Sequence, residues 1–160
     1  MDNVSFIEGN TINGFLFKPN EFDCAYIIKG PTSAYPYLKK VIKNGGMILG
    51  LHPGDQWGKE LPILFPNLFN CSKGTPILDT IKHRLKNSNY SCHHIDVIKS
   101  LEFISSPIDV LKLRCFGQHP SIYEILKEKY LFEIAKIFKQ NATADGLPIT
   151  FSSYLVRAIV

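Results

Sequence analysis

The sequence predicts an α/β fold built on a mostly parallel sheet, and three observations carry that prediction. Two apolar runs, Phe22 to Ile28 and Gly45 to Leu51, show almost no polar alternation, the pattern of strands covered on both faces. A helix-like stretch from Ser33 to Lys43 separates them, with Tyr37, Leu38, Val41 and Ile42 on one stripe and Lys39, Lys40 and Lys43 opposite. Both runs end in polar, sharply turning tails, Lys29-Gly30-Pro31-Thr32 and His52-Pro53-Gly54-Asp55. The two strands therefore open at the same edge of the sheet, which is where open α/β sheets bind ligands.

The remaining elements follow in order. Val4-Ser5-Phe6-Ile7 is a short β-prone run ending in the polar turn Glu8-Gly9-Asn10-Thr11. Residues 12–21 are interrupted by Gly14, Pro19 and Asn20 and read as a connection whose Phe15, Leu16 and Phe17 need cover. Beyond the central strand–helix–strand unit, Pro62 and Pro66 limit the aromatic-rich stretch 56–70 to short helical turns, either a lid over the strand ends or a packed surface connection. Thr75-Pro76 predicts a helix start, threonine as cap and proline as first helical residue, with Ile77, Leu78, Ile81 and Leu85 as the buried stripe. The stretch 91–103 alternates as a strand with one exposed side, and Ser106-Pro107 opens a helix that Gly117 stops. A longer helix is predicted over 121–140, and an alternating β-prone strand closes the chain over 149–160.

Length and composition bound the reading. At 160 residues, 45% hydrophobic and 20% charged, the expectation is one domain spanning residues 1–160. A net charge of +4 spread over helix faces gives no support for a nucleic-acid site, although weak attraction to polyanions is allowed. No apolar stretch approaches the roughly 20 residues of a membrane span, so a cytoplasmic, membrane-free protein is expected. Cys24, Cys71, Cys92 and Cys115 lie far apart with no close pair; buried reduced thiols are expected, and no metal site, although Cys92 stands beside His93 and His94.

The order Val4-Ser5-Phe6-Ile7-Glu8-Gly9-Asn10, then Phe22-Asp23, then Lys43-Asn44-Gly45-Gly46-Met47-Ile48, then a late helix and two closing strands, resembles class I S-adenosylmethionine-dependent methyltransferases. The resemblance implies a truncated Rossmann-like methyltransferase sheet, mostly parallel with an antiparallel C-terminal strand. The family's glycine-rich loop after its first strand, and the acidic residue ending its second, have no counterpart. The sequence begins at what resembles the third strand, so in the family's sheet order the Phe22 strand lacks its neighbours. Three outcomes are open: the Val4 segment swings in beside the Phe22 strand, another polypeptide supplies the missing N-terminal strands, or the molecule is marginally stable. The first is expected for the isolated chain.

For function the resemblance implies methyl transfer from S-adenosyl-L-methionine to an unidentified small-molecule acceptor. Asn10 and Thr11 would meet the adenine, Asn10 through its amide oxygen, and Ile28, Lys29 and Gly30 would line the methionine side. The acceptor would meet Pro31-Thr32 and the strand end from His52 to Trp57. His52 is the candidate base, with Asp55 orienting or replacing it; a histidine before Pro-Gly also suits a turn that satisfies backbone groups. Tyr26, Tyr35 and Tyr37 could stack on a flat substrate but are expected in the core. The alternative is a catalytically inactive remnant acting as an interaction or structural piece, or one half of a split enzyme.

Overall fold

The computed structural model describes residues 4–10, 14–70 and 74–160. Among these residues are four strands, β1 (Phe22–Ile28), β2 (Ile42–Pro53), β3 (Cys92–Ile104) and β4 (Leu147–Ile159), five α-helices, α1 (Tyr35–Val41), α2 (Leu61–Leu64), α3 (Ile77–Asn87), α4 (Pro107–Cys115) and α5 (Pro120–Asn141), and a short 3-10 helix at Thr32–Ala34. The sheet order is β1-β2-β4-β3. β1 pairs with β2 in parallel, from Cys24 opposite Met47 to Ile28 opposite Leu51. β4 runs antiparallel to β2, with Ile159 opposite Met47 and Ser153 opposite Pro53. The start of β3 meets the end of β4, where the Ser91 N–H donates to the Ile159 carbonyl. At the other end of these strands Gly146 lies against the Ile104 carbonyl. β3 is therefore antiparallel to β4 and runs with β1 and β2. The expected mostly parallel sheet with an antiparallel C-terminal strand is the one observed.

The chain divides into two compact units. The first comprises residues 1–55, 75–98 and 153–160. Its core packs one stripe of α1 (Tyr35, Leu38, Val41) and one of α3 (Ile81, Leu85) on Ile27, Ile48, Tyr154, Val156 and Ala158. These strand residues all point to one face of the sheet, since successive side chains alternate. Gly45 and Gly46 lie inside β2, where the register with β1 shifts. Gly45 has φ +78°, and a Cβ on Gly46 would come within 2.6 Å of the Asp23 carbonyl, so the shift needs both glycines.

The second unit comprises residues 56–74 and 99–152. Leu61, Phe65 and Leu68 of the proline-rich stretch are buried with Val110, Leu111, Ile134, Leu147 and Ile149. The stretch is packed into the core of this unit. The Ser106 hydroxyl caps α4 by accepting from the Asp109 N–H, with Pro107 in the first turn, as the sequence predicts.

Three expectations are corrected. Residues 4–10 form no strand: Val4, Phe6 and Ile7 are exposed, and β1 is the edge of the sheet, with no strand on its outer side among the described residues. A β-prone run stays a strand only when a partner accepts its hydrogen bonds, and this one has none. Cys24 and Cys92 are exposed rather than buried; Cys71 lies outside the described residues. Tyr35 is fully buried, but Tyr26 is 69% exposed, because it points to the face of edge strand β1 opposite the one α1 and α3 cover. No helix of the described residues is long and apolar enough to cross a membrane, and no metal-holding group of three side chains occurs among them.

Candidate functional site

The site is built where β1 and β2 end side by side. β1 stops because Lys29 turns left-handed at φ +53° while its N–H still donates to the Leu51 carbonyl at 2.8 Å. Gly30 follows because the turn folds back tightly: a Cβ there would lie 2.9 Å from the Ile27 side chain. Ile28 is left 73% exposed. Past the turn, Pro31 faces Glu8, Gly9 and Asn10 across a wide, open cleft of about 740 Å³. Asn10 and the Lys29–Pro31 turn, far apart in sequence, thus come to the same strand edge. Thr11 lies outside the described residues.

His52 sits at the end of β2 and is only 1% exposed. Its Nε2 is 2.8 Å from the Tyr35 hydroxyl, and the ring also hydrogen-bonds the Gly30 backbone. Burial holds its pKa below the usual histidine value, opposed in part by the Gly30 bond, so the ring is kept neutral. Burial likewise pushes the Tyr35 hydroxyl up, so it is the protonated donor and His52 Nε2 accepts. Room for this pair comes from Gly50, whose Cβ would collide with the Tyr35 hydroxyl and come within 2.9 Å of His52 Nε2. Tyr90 closes the cluster by donating to the Tyr35 carbonyl.

Asp55 has a different task. Its carboxylate accepts from the Ile77 N–H at 2.6 Å and the Leu78 N–H at 3.2 Å. These are the first two amides of α3, whose cap position holds Pro76 with no capping side chain of its own. Asp55 is a cap supplied from another part of the chain, where the sequence suggested Thr75. A carboxylate suits that end of a helix, where unpaired N–H groups carry partial positive charge. Tyr154 donates to the same carboxylate at 2.8 Å. Burial raises the Asp55 pKa, but the three hydrogen bonds together outweigh it and leave the group below its ordinary value.

No hydrogen bond joins His52 to Asp55 among the described residues. Each is matched instead with a tyrosine, Tyr35 and Tyr154, which the sequence reading missed in these roles. For His52 the one available signal was burial: a polar side chain placed on a covered strand face must find a partner.

No protein-family model matches the sequence, and no curated protein matches it. Solved structures do. A candidate methyltransferase of an antibiotic biosynthesis pathway in Anabaena variabilis superimposes over 100% of this chain and 75% of its own, at TM-score 0.64 and 14% identity. A candidate methyltransferase of Bacillus halodurans matches over 98% and 77%, at TM-score 0.56 and 13% identity. The YcgJ protein of Bacillus subtilis matches over 99% and 71%, at TM-score 0.56 and 15% identity. At these identities the likeness is one of fold, and the fold is that of class I methyltransferases.

Proposed function

We propose that the chain serves S-adenosylmethionine-dependent methyl transfer to a small-molecule acceptor, with the cofactor received at the open ends of β1 and β2. The observation that carries this reading is the cleft between Glu8-Gly9-Asn10 and Pro31, at the edge where open α/β sheets take their ligands. The residues present suit one end of the cofactor. Asn10 and Thr11 would hold the adenine, and Ile28, Lys29 and Gly30 would border the methionine side. The sequence has no glycine-rich loop to cradle the carboxylate end with backbone N–H groups, so binding by this chain alone is weak.

The bound cofactor would supply an activated methyl group, and its transfer is an in-line displacement that asks the protein for alignment and exclusion of water. An acceptor with a free lone pair needs no base. His52 is neutral, enclosed and matched to Tyr35, and Asp55 caps a helix. Both therefore act as positioning residues that hold the strand ends in register. The test is calorimetric titration of the folded chain with S-adenosylhomocysteine, repeated with Asn10→Ala, which weakens binding if Asn10 faces the cofactor.

A second reading is favoured by one feature. β1 is an edge strand whose outer side has no partner strand among the described residues, and its Tyr26 and Ile28 are 69% and 73% exposed. Such an edge accepts another strand, as an inactive interaction piece or one half of a split enzyme would require. Heat from neither cofactor form, with a folded chain that associates with a partner, would favour it.

A further inference from the structure

The apolar runs of β1 and β2 put apolar side chains on both faces of the sheet in the first unit, and α1 and α3 cover one of those faces. Side chains alternate along a strand, so the residues between the core positions Ile27, Ile48, Val156 and Ala158 belong to the other face. The register aligns them in rows. Cys24, Met47 and Ile159 lie side by side in one row, and Ile28, Leu51 and Leu155 in another. Between these apolar rows runs a third, of Tyr26, Leu49 and Arg157. The Arg157 guanidinium donates to the Asp96 carboxylate of β3 at 2.7 Å, so its charge is answered within the chain.

This face is bare. Cys24, Tyr26, Ile28, Met47 and Ile159 are exposed, and Leu49, Leu51 and Leu155 are half-buried. Apolar surface continuous over three paired strands marks an interaction site, where single exposed apolar residues would not.

The pattern of the rows complements itself. Two copies packed face to face, with sheets about 10 Å apart and a two-fold axis running along β2, set Met47 over Met47, Leu49 over Leu49 and Leu51 over Leu51. The same axis lays β1 of each copy over β4 of the other. Cys24 then meets Ile159 and Ile28 meets Leu155, apolar on apolar, while Tyr26 meets Arg157, an aromatic face on a cation. An axis across the strands would instead stack Arg157 on Arg157. Three strands of five residues span about 14 by 16 Å, which places the contact among small, transient interfaces.

We propose that this open sheet face is where a second copy of the chain docks, about a two-fold axis along β2, with Tyr26 and Arg157 crossing between the copies.

Residues on the axis supply the test. The whole chain is brought to sedimentation equilibrium over about 5–500 μM. The expected result is reversible dimerisation with a Kd on the order of 10–100 μM. Leu49→Lys and Leu49→Glu each weaken it at least about tenfold by setting like charges on the axis, while the far-ultraviolet circular dichroism is unchanged. An equimolar mixture of the two variants associates again, because the axis then joins opposite charges. Met47, exposed and on the same axis, carries the same exchange where a Leu49 variant does not fold. Pairing through the β1 edge alone would survive either substitution and gain nothing from the mixture. Association unaltered by Leu49→Lys, or a mixture that stays monomeric, overturns the proposal. So does a wild type that is monomeric throughout, which would leave the face to a polypeptide of another sequence.

Discussion

The Tyr154 hydroxyl donates to Asp55 Oδ2 at 2.8 Å and lies 3.2 Å from the Asp55 backbone N–H, whose donated bond it accepts. This pairing fixes the loop after β2 to strand β4, and through the Ile77 and Leu78 amides it fixes the same loop to α3. One carboxylate therefore ties three elements of the first unit together.

Replacing that carboxylate should cost stability. Asp55→Ala removes a helix cap and orphans two amides, and we expect a loss of about 1–2 kcal/mol, with Asp55→Asn retaining part of it. For a chain of this size that is a fall in melting temperature of about 2–4 °C per kcal/mol, read by circular dichroism. The Asp55 pKa is below its ordinary value of 3.8, so this stabilisation is present above pH 3.8 and is lost as the pH falls through the lower folded value. A melting temperature unchanged in Asp55→Ala would remove the carboxylate from this role.

The His52–Tyr35 pair predicts a second pH effect at milder acidity. The folded state keeps His52 below the ordinary value of 6.5, so the unfolded chain binds the proton more readily. Stability is then full above pH 6.5 and declines as the pH falls from there toward the folded pKa. Urea midpoints measured from pH 8 to 5 should drop in the wild type and drop less in His52→Gln, which keeps a polar group without the titration.

Gly50→Ala tests the space made for that pair. The added methyl has no room beside the Tyr35 hydroxyl and His52 Nε2, both buried. Overpacking of this kind costs about 1–3 kcal/mol. A variant as stable as the wild type in urea would show that the cluster can yield.

The β1 edge should make the chain associate. Its only charged residue, Asp23, is paired with Lys43 at 2.6 Å, and Tyr26 and Ile28 are exposed. Edge strands without unpaired charges or proline are prone to pairing with other chains. The double variant Tyr26→Lys, Ile28→Lys should lower the weight-average mass at high concentration in sedimentation equilibrium. A wild-type chain that stays monomeric throughout would contradict this.

Much of the fold was legible because it is local. Apolar runs without alternation identified β1 and β2, and Ser106-Pro107 gave the start of α4 from a cap that neighbouring residues supply. What failed depended on distant partners. Val4 to Ile7 has strand composition but pairs with no strand among the described residues, and the cap of α3 comes from Asp55, 22 residues before Ile77. Asn10 and Pro31, both expected near the ligand, border one open cleft. The hydrogen-bond partners of His52 and Asp55 were not legible, because Tyr35 and Tyr154 carry no mark in the sequence that pairs them with these residues.

The central claim is that the open ends of β1 and β2 receive S-adenosylmethionine. Titration calorimetry of the purified, folded chain with S-adenosylhomocysteine tests it most directly. The account predicts saturable binding with a Kd on the order of 0.1–1 mM, equivalent to about −4 to −5.5 kcal/mol, weakened by Asn10→Ala. A folded chain that gives no heat of binding over that range would contradict it.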